Sequence, residues 1–91
     1  MQIKWSSAAR RDLVRLHDFL KPVNPRVAAQ TVSALLTSVE RLLDYPEVAP
    51  LSDTYEGRNV RSVIIGDYNL HYEVTPDVIF VVRIWHTRED R

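Results

Sequence analysis

The sequence predicts an α+β fold of order β-αα-βββ, with a helical hairpin packed on one face of a small, mainly antiparallel four-stranded sheet. Three observations carry that prediction. Apolar residues recur at helical spacing only between residues 9 and 43, β-branched and alternating runs fill residues 59 to 85, and a short alternating segment precedes the helices. At 91 residues, 45% of them hydrophobic, the chain has material for one core and therefore one domain, residues 1–91.

Gln2-Ile3-Lys4-Trp5 alternates polar and apolar side chains and reads as a strand, after which Ser6 or Ser7 offers a hydroxyl to cap a helix. Ala9, Leu13, Leu16 and Leu20 then share one helical face, and the run Arg10-Arg11-Asp12 is expected on the solvated side. Pro22 ends this helix. Asn24 and Pro25 start the next, as cap and first helical residue, and it should continue to about Leu43. Its stripe of Ala28, Val32, Leu35, Val39 and Leu42 is widened by Ala29, Leu36 and Leu43, so it should bury against more than one neighbour. Two helices joined so closely pack as an antiparallel hairpin.

Residues 44 to 57 hold Pro46, Pro50 and Gly57 without periodicity and read as a loop. Residues 59 to 65 read as a strand, Gly66-Asp67 as a two-residue hairpin turn, and Tyr68 to Val74 as the next strand. In that strand Tyr68, Leu70, Tyr72 and Val74 should face inward and Asn69, His71 and Glu73 outward. Thr75-Pro76-Asp77 makes a turn into Val78 to Trp85, apolar enough to lie mid-sheet and interrupted by Arg83 alone.

With no cysteine, the chain has neither disulfides nor thiolate metal sites, and a reducing, cytoplasmic compartment is expected. The N-terminus lacks the apolar run of a signal peptide, and no segment reaches the length of a membrane span. Twelve cations balance twelve anions, which argues against affinity dominated by nucleic-acid phosphates; direct nucleic-acid binding is not expected outside a target complex. Ten of the twelve cations are arginine, leaving only Lys4 and Lys21. That bias favours planar, bidentate contacts and removes most candidates for a lysine general base. Asp44, Glu47, Asp53 and Glu56 lie together with no cation among them, either as a solvated loop or as an edge for a basic partner.

The candidate functional residues are Arg58, Arg61, Arg83, His86 and Arg88, with Asn69, His71 and Glu73 beside them. Guanidinium groups near an imidazole can neutralise a pentacoordinate phosphate and move protons, the needs of RNA cleavage. The same residues have a structural reading, in which Arg83 pairs with Glu73 on the neighbouring strand and His86 and Arg88 cap the sheet. Three scattered histidines and two glycines support no metal site, no phosphate-cradling loop and no nucleotide cofactor.

Over essentially its whole length the chain resembles the RelE/ParE superfamily of toxins from bacterial type II toxin–antitoxin pairs. The residues that carry the resemblance are Ala9-Arg10-Arg11-Asp12-Leu13, then Asn24-Pro25 with Ala28-Ala29, Leu42 to Pro46, Arg61 with Gly66, Tyr68 and Tyr72, and a close of Arg83-Ile84-x-His86-x-Arg88-x-Asp90. The RelE-like branch cuts mRNA in the ribosomal A site with lysines and arginines. Arg61 and Arg83 match arginines of that pattern, and with His86 they would form its catalytic set, but no lysine follows Lys21. The ParE-like branch, whose members inhibit DNA gyrase by binding and are not known as enzymes, is similar in the Arg-x-x-His-x-Arg-x-Asp close and is the nearer match. On that reading the candidate residues Arg58, Arg61, Arg83, His86 and Arg88 are expected as target contacts, with no catalytic residue. The resemblance also implies a hetero-oligomer with a cognate antitoxin whose C-terminal segment wraps the hairpin and sheet, for which Trp5, Leu16, Leu20, Val32 and Leu36 are the candidate contacts. A third reading is a non-toxic interaction module of the same fold.

Overall fold

A computed structural model describes residues 1–88 and has the expected element order: β1 (Gln2–Trp5), α1 (Ser7–Leu20), α2 (Pro25–Arg41), β2 (Val60–Ile65), β3 (Tyr68–Val74) and β4 (Val78–His86). The Asp90 of the closing motif lies outside the described residues.

Local chemistry sets the boundaries. Ser6 accepts from the Ala9 N–H at 2.9 Å as the cap of α1, and the same hydroxyl donates to the Val82 carbonyl at 2.8 Å, tying the helix start to β4. Asn24 Oδ1 accepts from the N–H groups of Arg26 and Val27 at 3.1 and 3.2 Å, ahead of Pro25 at the first helical position. Gly66, at φ +60°, takes the first position of the turn between β2 and β3, where a Cβ would be strained. Helix α2 ends at Arg41, two residues before the expected Leu43, with Leu42 as its cap.

The sheet order is β1-β4-β3-β2. β1 runs parallel to β4, and the other neighbours are antiparallel. Leu16, Leu35, Val39 and Leu42 from the helical side meet Leu70, Tyr72, Ile79, Val81 and Ile84 from the sheet. β3 and β4 slip register between His71 and Tyr72: Tyr72 pairs with Val81 but His71 with Arg83, leaving Val82 as the extra residue of a bulge. The slip lets both Val81 and Ile84 reach the core although they are three residues apart.

Three expectations are corrected. Arg10 and Arg11 are exposed as expected, but Asp12 is only 3% exposed. β1 stops opposite Val81, and the Asp12 carboxylate accepts from the Ile84 N–H at 2.9 Å, supplying an acceptor to the β4 edge that β1 leaves uncovered. His71 points to the polar side of β3 yet is only 6% exposed, because Tyr55 of the preceding segment lies on it. The wide stripe of α2 is not fully buried within the chain: Ala29, Leu36 and Leu43 remain exposed.

Candidate functional site

The strand register separates the predicted target contacts. Arg61 pairs across to Tyr72 and His86 to Tyr68, so the two lie four residues apart along β3, about 13 Å at ~3.3 Å per residue, and on opposite sides of that strand. Arg58 and Arg61 therefore occupy one end of the sheet, and His86 and Arg88 the other, with Arg83 between.

At the first end the arginines hold the 44–59 segment to the sheet. Arg61 donates to the Ala49 carbonyl at 2.7 Å, to Glu47 Oε2 at 2.8 Å and to Asn59 Oδ1 at 3.2 Å. Arg58 forms a two-pronged pair with Glu73 at 2.7 and 3.0 Å and lies over the Tyr55 ring. Those hydrogen bonds, with the Arg58 charge, hold the Glu73 carboxyl below its ordinary value against a smaller opposing effect of burial.

Arg83 pairs with Asp12, not with Glu73. Its Nε lies 2.8 Å and its Nη2 3.1 Å from the two Asp12 oxygens, and Arg15 reaches the same carboxylate at 3.3 Å. Burial alone would raise the Asp12 carboxyl. The bonds from Arg83, the Ile84 N–H and Arg15, together with the Arg83 charge, outweigh burial and bring it below the ordinary value. Glu73 pairs in register with Phe80, not with Arg83, and its two oxygens meet Arg58.

At the second end His86 meets the Tyr68 ring edge-on at 5.3 Å, and its Nδ1 accepts from the Arg88 N–H at 3.1 Å, which leaves the neutral ring's proton on Nε2. Both residues border a groove of about 690 Å³ between the hairpin and the β2–β3 turn. Leu16, Phe19, Leu20 and Val27 give it an apolar wall, and Arg15, Asp67 and Arg88 bring charge to it. Phe19, at 78% exposed, and Val23, at 85%, extend that apolar surface to the hairpin tip.

Of the five predicted antitoxin contacts, Leu16 and Leu20 line this groove, Leu16 also being part of the core. Trp5 and Val32 pack against the core, and Leu36 is exposed on α2. Sequence reasoning missed Phe19 and Asp12. Phe19 sits three residues after Leu16, so helical spacing already placed it beside that face. Asp12 stood in the quoted motif, but its charge assigned it to solvent. Among the described residues no group of three or more His, Asp or Glu is arranged to hold a metal ion, and no helix is long and apolar enough to cross a membrane.

Known proteins resemble this arrangement. The solved chromosomal ParDE toxin–antitoxin system from P. aeruginosa contains a chain that superposes with a TM-score of 0.77 at 21% identity, over 94% of this chain and 95% of that one. A chain of the RelBE2 toxin–antitoxin complex from Mycobacterium tuberculosis superposes with a TM-score of 0.62 at 24% identity, over 93% and 95%. At such identities these likenesses show a shared fold. In sequence, the chain is 29% identical over 93 residues to toxin RelE3 of Caulobacter vibrioides, covering 98% of this chain and 97% of the relative. The model of the ParE toxin of the type II toxin–antitoxin system parDE matches residues 3–91. That match takes in β1, the hairpin, the arginine-bearing strands and the closing motif together, and by it the chain belongs to the ParE toxin family within the RelE/ParE superfamily of type II toxins.

Proposed function

We propose that this toxin acts in the cytoplasm by binding DNA gyrase, without cleaving RNA, and that a cognate antitoxin silences it by filling the hairpin groove. The supporting observation is the engagement of Arg61 and Arg83. Metal-free cleavage of a phosphodiester needs cationic groups and a proton acceptor within hydrogen-bond reach of one phosphate. Here Arg61 is bound to Glu47 and Ala49, Arg83 to Asp12, and His86 lies at the other end of the sheet from Arg61. The candidate catalytic set does not converge, and two of its members stabilise the scaffold.

Arg58, whose side chain is half exposed although paired with Glu73, is then a target contact with His86 and Arg88, while the more covered Arg61 and Arg83 position the surfaces around them. An antitoxin helix with apolar anchors at helical spacing suits the wall of Leu16, Phe19, Leu20 and Val27. Because His86 and Arg88 border the same groove, a segment seated there also covers them, which links antitoxin capture to loss of target binding.

The test is expression of the chain without its antitoxin. Filamentation with DNA-damage signalling supports gyrase as the target. Immediate translation arrest with mRNA cut at A-site codons replaces that reading with the RelE-like one, and unimpaired growth with a folded product leaves an interaction module.

A further inference from the structure

The segment from Pro50 to Arg58 lies against the sheet and covers a histidine. It is attached at its first residues by hydrogen bonds from the Ser52 N–H to the Val60 carbonyl at 2.8 Å and from the Ser62 N–H to the Pro50 carbonyl at 3.1 Å. Farther along, Tyr55 meets the His71 ring edge-on at 5.4 Å, with its hydroxyl 3.3 Å from His71 Nδ1. On the other side the His71 ring meets Trp85 at 4.5 Å, also edge-on. The imidazole is thus enclosed by two aromatic rings on the polar side of a strand, a position where alternation alone would leave it in water.

The charged groups around His71 are already committed. On its own strand Glu73 gives both oxygens to Arg58. On β4 its register partner Arg83 is bound to Asp12. On β2 it faces Ser62, whose neighbour Arg61 is bound to Glu47. From the covering segment come Tyr55 and Arg58, the latter a further positive charge, while its carboxylates Asp53 and Glu56 are exposed and neither is paired with the His71 ring.

We infer that residues 50–58 form a proton-operated cover over His71, which protonation of that histidine releases from the sheet. An imidazolium enclosed there would keep one long hydrogen bond to the Tyr55 hydroxyl and gain ~1–2 kcal/mol from the aromatic rings, with no carboxylate as partner, which is less than the cost of burying the charge, so it is better accommodated by water once Tyr55 moves away. Burial accordingly lowers the His71 pKa from its ordinary 6.5. The stabilisation of the closed cover is therefore complete above pH 6.5 and is lost as pH falls toward the lowered value. The inference does not depend on which target the toxin has, but its cover ends at Arg58, whose pair with Glu73 must open with it, so the surface that mild acid exposes is the one bearing His71.

Amide hydrogen exchange on the full chain tests it, with protection of the Ser52 and Ser62 N–H groups corrected for intrinsic rates between pH 7.5 and pH 5. Protection at both sites should fall by up to about thirtyfold, the limit set by protonating an imidazole of ordinary pKa over that interval, while amides of the β3 core keep theirs. In His71→Phe, which keeps a ring, and in His71→Gln, which keeps a polar side chain, protection should not change with pH. Unchanged protection in the wild-type chain, an equal fall in a folded variant, or simultaneous loss at the β3 core overturns the proposal.

Discussion

Asp12 shows how one side chain can join local and long-range structure. It lies on α1, accepts from Arg15 one turn away, and receives both Arg83 and the Ile84 N–H from β4. Replacing it with alanine leaves a buried N–H without its acceptor and Arg83 without its carboxylate, and should cost about 2–4 kcal/mol in denaturant unfolding. Since its carboxyl is held below the ordinary value, the stability it contributes is present above pH 4 and lost as pH falls through the depressed value. Asp12→Asn should therefore flatten the dependence of Tm on pH below pH 4. Tyr72 presents the opposite case, a buried hydroxyl without a well-formed hydrogen bond among the described residues, only the Ala49 backbone being near enough to act on it. Tyr72→Phe should be neutral or stabilise by up to about 1 kcal/mol in the same assay. Neither role was legible in the sequence, because a carboxylate's partners 71 and 72 residues away cannot be read from periodicity.

The elements themselves were legible, and for physical reasons. Ser6, Asn24-Pro25 and Gly66-Asp67 each supply a cap or turn whose chemistry is local, so their positions followed from short stretches of sequence. Less accessible was the β4 bulge, since nothing in an apolar strand marks which residue is left unpaired. The wide apolar stripe of α2 was seen, and Val32 and Leu36 on it were candidate antitoxin contacts, but Ala29 and Leu43 were expected to widen the buried face. Exposed Leu36 and Leu43 show that the chain alone does not use all of it. At the groove, Phe19→Ala should change unfolding free energy by no more than about 0.5 kcal/mol, because the ring is exposed. It should weaken antitoxin binding by ~10-fold or more in titration calorimetry, as expected for an aromatic anchor.

In the whole molecule, the arginine-rich strands do two kinds of work. Arg61 and Arg83 join the 44–59 segment and α1 to the sheet, while Arg58 and Arg88 stand at its two ends. All four were candidates from the sequence, and the absence of lysine after Lys21 favoured binding over cleavage. Their division into internal and outward groups depended on Glu47 and Asp12, whose positions only the folded chain reveals. Arg88→Ala should accordingly reduce target inhibition without unfolding the protein, whereas Arg83→Ala should lower Tm as well. The central claim is that this surface binds gyrase and does not cut RNA, and titrating purified toxin into a gyrase supercoiling reaction tests it most directly, with a translating extract run in parallel. A gyrase-binding toxin should abolish supercoiling, with added antitoxin restoring it and messenger RNA left intact; unaffected supercoiling together with mRNA cleaved in the ribosomal A site would overturn the proposed function.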